Sequence, residues 1–149
     1  MSSSDSRPPV ERRRLIAAGV ALVVVVVVVV LIAGGGGGND KKDAEQTVRD
    51  FVTATNKRDA DRLCNDLLSK DFIEQATGAT GDKAKSTCKQ QFKLFRGLNL
   101  RLIRINKTKV KGSKATVDTV IETEDQPQPR VFRLTKEGGR WRLAGGTGG

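Results

Sequence analysis

Lys114-Ala115-Thr116-Val117-Asp118-Thr119-Val120-Ile121-Glu122 alternates strictly: Ala115, Val117, Thr119 and Ile121 share one parity, Thr116, Asp118, Val120 and Glu122 the other. Successive strand residues point to opposite faces, so this stretch reads as a half-buried strand. Ahead of it, Lys111-Gly112-Ser113-Lys114 reads as a turn. Further back, Leu98, Leu100 and Leu102 alternate on one face until Ile103 and Ile105 take the opposite parity, which predicts a long strand bent by a bulge. Beyond Glu122, Glu124 to Pro129 reads as a looser, proline-containing connection. Phe132 and Leu134 then form a third strand, Glu137-Gly138-Gly139-Arg140 a two-residue hairpin, and Trp141 and Leu143 a closing strand. The second half of the chain is therefore expected to be a curved antiparallel sheet.

The first half changes period. Ala44, Val48, Phe51, Val52 and Thr55 recur at helical spacing, with Asp43 and Gln46 placed as a capping box ahead of them. Asn56-Lys57-Arg58 breaks that pattern, and Asp59 reads as the N-cap of a second helix. Its inner face holds Leu63, Cys64, Leu67 and Leu68, continued after Lys70 by Phe72 and Ile73. Gly78 and Gly81 mark a loop, and Asp82 is placed to cap a third helix carrying Ala84, Cys88, Phe92 and Phe95, stopped by Gly97. Helices followed by strands define the α+β class.

Upstream lies a different kind of segment. Residues 15–33 are apolar throughout, contain an unbroken valine run from Val23 to Val30, and sit in a stretch with no charge between Arg14 and Asp40. A bilayer core of about 30 Å needs roughly 20 apolar helical residues, so 15–33 reads as a transmembrane helix. A cleavable signal peptide has a shorter apolar region, about 7–15 residues, and Leu31-Ile32-Ala33 lacks the small residue three positions back from the cut. No cysteine follows the run as a lipoprotein signal requires, and Arg12-Arg13 reads as flanking charge rather than a twin-arginine signal. The arginines at 12–14 abut the span while Lys41 and Lys42 stand off behind five glycines. This asymmetry points to a cytoplasmic N-terminus and an extracytoplasmic C-terminal domain. The expected organisation is a disordered tail over 1–14, a membrane span over 15–33, a glycine linker over 34–39, a domain over 40–144, and a flexible tail over 145–149.

Cys64 and Cys88 are the only cysteines, and both fall on the exported side. An even count in an oxidising compartment suggests one disulfide, with a pair of free buried thiols as the alternative if the domain is cytosolic. Closing such a loop of about 25 residues would stabilise the domain by roughly 3.5 kcal/mol in the chain-entropy model. With no histidine in the chain, two thiols leave a zinc ion short of ligands, and Cys-His catalysis is excluded. No cofactor site is expected. The formal charge is +10, of which residues 1–14 contribute +2 (four Arg against Asp5 and Glu11) and the remainder +8. A basic domain near a membrane feels anionic lipid, cell-wall polymer or nucleic acid. Nucleic acid is disfavoured because no tyrosine and only one tryptophan are present to stack on bases.

Ala44 to Val52, Asn56 to Asp61 and Leu67 to Phe72 together resemble the opening helices of the NTF2-like (cystatin-like, SnoaL-like) superfamily. Gly112 to Val117 and Leu134 to Leu143 are similar to that fold's strand start and closing hairpin. The resemblance implies a cone of three helices on a bent sheet with a cavity between them. It also implies an acid/base carboxylate with Tyr, His or further Asp donors in the enzymatic members. This chain has neither Tyr nor His, so Asp118 or Asp71 alone would have to serve, and the expectation is a non-enzymatic domain. Phe51, Phe72, Phe92, Phe95, Phe132 and Trp141 are the candidate lining of an apolar pocket, with plain core packing as the alternative. The expected function is a membrane-anchored envelope protein displaying a binding or accessory module for an envelope partner or a small apolar ligand. A SnoaL-like isomerase or hydrolase, and a binder of anionic lipid or cell-wall polymer, are the alternatives.

Overall fold

Ala115, Val117, Thr119 and Ile121 are all buried, as their alternation requires, in a computed structural model that describes residues 38–95 and 99–148. The expected membrane span over 15–33 and the tail over 1–14 lie outside the described residues. Among the described residues, no helix is long and apolar enough to cross a membrane. The domain is α+β, with helices preceding a four-stranded antiparallel sheet in the order β1-β2-β3-β4: β1 Leu100–Lys111, β2 Lys114–Thr123, β3 Gln126–Glu137 and β4 Arg140–Gly148.

The bulge expected in the first strand is present twice. The register of β1 against β2 slips between Leu102 and Arg104 and again between Ile105 and Lys107. Each slip takes up one residue and reverses parity, so Leu102, Ile105, Thr108 and Val110 all turn inward although their numbers do not alternate. Gly112 has φ 57° in the turn to β2, the left-handed geometry that glycine accepts without strain.

The connection after β2 differs from expectation. Glu124 and Asp125, both at positive φ (50° and 61°), make a two-residue hairpin rather than a loose loop, and Pro127 and Pro129 lie within β3. In a hairpin this tight, Gln126, Gln128 and Arg130 take the hydrogen-bonded positions against Thr123, Ile121 and Thr119. The prolines therefore turn their missing N–H groups outward, where, among the described residues, β4 pairs with β3 only as far as Arg130↔Gly148. The expected flexible tail is also replaced, because Gly145 to Gly148 continue β4 alongside β3. Gly145 is the glycine the strand requires: its φ of 143° is one that L side chains rarely adopt, and a Cβ there would lie 3.0 Å from the Arg133 guanidinium.

Helix α1 (Gly38–Lys57) starts earlier than the capping-box reading and absorbs Gly38 and Asn39 from the expected linker. The cause is Asp40 in its first turn, whose carboxylate accepts from Lys136 Nζ (2.7 Å) and Trp141 Nε1 (3.3 Å) and so ties that turn to β3 and β4. Asp43 sits inside the helix, and Gln46 bonds Asp50 instead. Ala44 and Val48 pack on Ala115, Val117, Leu134 and Trp141 to form the core between helix and sheet.

Asp59 caps the next helix as expected, accepting from the Arg62 N–H. That helix does not run on to Ile73. Short α2 (Ala60–Arg62) widens into a π-helical turn over Leu63–Leu67, and Leu68 then adopts an extended backbone and bridges in parallel to Leu143. Ser69 donates its N–H to the Leu143 carbonyl (2.8 Å), and its hydroxyl accepts from Phe72 N to cap α3 (Lys70–Thr77). Four helices replace the expected three because an edge of β4 captures the middle of the second. Helix α4 (Gly81–Leu94) is opened by the Glu74 carboxylate, which accepts from Gly81 N at 2.9 Å, rather than by Asp82.

Candidate functional site

Cys64 and Cys88 are joined by a disulfide between the π-helical turn and α4, with Cα atoms 6.1 Å apart. Both are buried among Leu68, Ile73, Ala84 and Leu143. This cluster is the hub around which the aromatic residues are arranged, and it divides them.

Phe72, Phe92 and Phe95 line a groove of about 310 Å³ between α3 and α4, completed by Leu68, Ile73 and Ala76. Thr77 and Gln91 are its polar members. Leu94 and Phe95, at the end of α4 beside it, are 83% and 46% exposed, so apolar surface continues out of the groove into solvent.

Phe51 and Phe132 belong to a second recess. Their rings meet edge to face, centroids 5.9 Å apart, at one wall of a cleft of about 340 Å³ between α1 and the sheet. Leu100 and Ile121 extend that wall, and Thr123, Gln128, Arg130 and Thr147 form a polar rim without a carboxylate. At the end of β4, Gly146 lies opposite Phe132 and adds no side chain to the lining, while Thr147 adds a hydroxyl.

The sixth aromatic, Trp141, is core: it is buried against Ala44 and Val48, donates to Asp40, and carries the Lys136 ammonium 5.6 Å from its ring centroid. The six aromatic residues thus do not line one pocket. Leu68 and Leu143, drawn together by their bridge, and the disulfide fill the space between the groove and the cleft. Neither carboxylate considered for catalysis enters these recesses. Asp118 lies half-buried on the outer face of β2, opposite Lys107 and Val131, and Asp71 is exposed on α3. Among the described residues, no cluster of three or more metal-ligating side chains occurs.

Three carboxyls are held below their ordinary values, each first by a hydrogen bond from a cation: Asp40 from Lys136, Asp61 from Lys89, and Glu122 from Arg101. Glu122 and Arg101 face each other across β1 and β2 with a two-pronged contact at 2.8 and 2.7 Å. Asp40 matters most to the fold because its partners lie about a hundred positions away in the chain. Its folded pKa is depressed, so its contribution is complete above the unfolded value of about 3.9 and disappears as pH falls through the folded one. Asp40→Asn should therefore show a smaller loss of stability than the parent between about pH 6 and about pH 2, measured by urea unfolding at each pH.

Asp40, Lys136 and the polar pair Thr77 and Gln91 were not legible as site residues. Asp40 follows a glycine run, and only tertiary contact gives it a role. The chain matches no protein-family model and no curated protein sequence.

Proposed function

We propose that this chain is a single-pass, membrane-anchored envelope protein whose exported NTF2-like domain is a non-enzymatic binding module, with the groove between α3 and α4 as its binding site for a small apolar ligand. The apolar segment over 15–33 supports the anchor, and the disulfide supports an oxidising compartment. The observation that carries the binding reading is the groove itself: three phenylalanines converge on about 310 Å³ of space with two polar side chains at its lining. Recesses of this size, mostly apolar with a few polar groups to set orientation, are what small-molecule sites look like. Catalysis has weaker support, because Asp118 and Asp71 both lie away from the groove and the cleft.

Methyl-resolved NMR of the full chain in lipid nanodiscs, titrated with indole as a water-soluble aromatic probe, tests the site. The expected result is saturable shifts of the Leu68, Ile73 and Ala76 methyls, abolished in Ala76→Phe, which fills the groove. Shifts that are absent, or that survive that substitution unchanged, contradict it.

A further inference from the structure

Among the described residues, the outer face of the sheet carries no helix, and one half of it is strongly cationic. The unbroken pairing back from the Gly112-Ser113 turn puts Lys107, Lys109 and Lys111 on that face, and the register sets Lys109 beside Thr116, Thr116 beside Arg133, and Lys111 beside Lys114. All five cations are exposed, and among the described residues none of them forms an ion pair. Asp118, opposite Lys107, is a carboxylate on the same face. Lysines on an edge strand commonly protect it from pairing with another sheet, but Lys114 and Arg133 stand on interior strands, where no such protection is needed.

The position of this patch is as informative as its charge. It ends at the turn of Gly112 and Ser113, whose Ser113 carbonyl accepts from Lys136 N at 2.8 Å. Lys136 in turn holds Asp40 in the first turn of α1, where exposed Lys41 and Lys42 also lie. The chain therefore enters the domain at the cationic end of the sheet.

We infer that this cationic end is a docking surface for anionic phospholipid headgroups, an inference that rests on the anchored reading above. Clustered lysines and arginines next to a membrane span are attracted to an anionic surface, and the attraction fades beyond a Debye length of about 8–10 Å at ordinary salt. A soluble anionic polymer is the competing partner. The location favours lipid, because the unpaired lysines gather toward the end where the chain arrives, whereas near the opposite hairpin of Glu124 and Asp125 the outer-face Arg101 is paired with Glu122.

The sole tryptophan, Trp141, lies at this same end and serves as a native reporter. The full chain is reconstituted into phosphatidylcholine vesicles with and without a third of phosphatidylglycerol, each holding dansyl-phosphatidylethanolamine, and energy transfer from Trp141 to dansyl is read. Docking predicts about twofold higher transfer with phosphatidylglycerol, reversed near 0.5 M salt, where the Debye length falls to about 4 Å. It also predicts loss of that gain in K109E/K111E/K114E and its retention in K109R/K111R/K114R. Equal transfer in the two vesicles overturns the inference. So does a gain insensitive to salt, or a response to long-chain polyphosphate over phosphatidylcholine with none to phosphatidylglycerol. Flotation after an alkaline wash reads the anchor separately. Should the chain fail to float, salt-reversible sedimentation with the phosphatidylglycerol vesicles supports the surface and its absence overturns it.

Discussion

Replacing Cys64 and Cys88 together by alanine should lower the unfolding free energy by about 3.5 kcal/mol, and the unfolding temperature by roughly 15–20 °C. The bond closes a loop between residues 24 apart and ties the π-helical turn to α4. In the unfolded chain it removes conformations, and in the folded one both sulfurs lie in the cluster with Leu68, Ile73, Ala84 and Leu143. A loss of that size is a large fraction of the 5–15 kcal/mol typical of a domain. Urea unfolding of the full chain, followed by Trp141 fluorescence, measures it, and reductant added to the unsubstituted protein should reproduce most of the shift. Unfolding that is indifferent to both treatments would place the stability of the helical layer elsewhere. The groove should respond too, because Cys88 is part of its lining.

Trp141→Ala should cost about 3–5 kcal/mol, the range for deleting a large buried aromatic side chain. Trp141 is 4% exposed, and its removal opens the core between α1 and the sheet against Ala44, Val48, Ala115, Val117 and Leu134. It also removes the indole N–H donor to Asp40 and the ring beneath the Lys136 ammonium. Trp141→Phe separates these effects. It keeps most of the packing and loses the indole donor, so its cost should be about 1 kcal/mol. Circular dichroism during urea unfolding reads both variants, since the fluorescent reporter is gone. Equal costs for alanine and phenylalanine would show that the Asp40 contact, rather than the packing, dominates.

The sheet was largely legible because its information is local. Ala115 to Ile121 alternate cleanly, Gly138-Gly139 can hardly be anything but a tight hairpin, and the parity change at Ile103 announces a bulge. The errors fall where distant contacts outweigh local preference. Pro127 and Pro129 look like loop residues until the register shows that their nitrogens face an unpaired edge. The glycines after Ala144 look like a frayed tail, yet β3 gives them a partner, and Gly145 takes a positive φ beside the Arg133 guanidinium. The apolar face from Leu63 to Ile73 has helical spacing throughout, and only Leu143 on the far side of the chain explains why Leu68 leaves the helix.

The candidate site followed the same division. The disulfide was readable from a count of two cysteines, and Phe72, Phe92 and Phe95 from their helical positions, but composition gave no means of sorting six aromatic residues into groove, cleft and core. That sorting depends on the bridge of Leu68 to Leu143, a contact between residues 75 positions apart. The basic patch is similar. Lys107, Lys109 and Lys111 share a parity in the sequence, but that they join Lys114 and Arg133 on one face beside the first turn of α1 is a property of the pairing of β1, β2 and β3 and of the Lys136–Asp40 contact.

A disulfide-bonded domain standing outside the membrane on an anchored chain is what we propose. Peptide mapping by mass spectrometry, done without reduction on thiol-blocked protein taken from membranes after an alkaline wash, tests it most directly. The expected result is the chain in the washed membrane fraction, with the peptides containing Cys64 and Cys88 recovered as one linked species. Recovery of both cysteines as blocked free thiols, or of the chain in the wash, would contradict it.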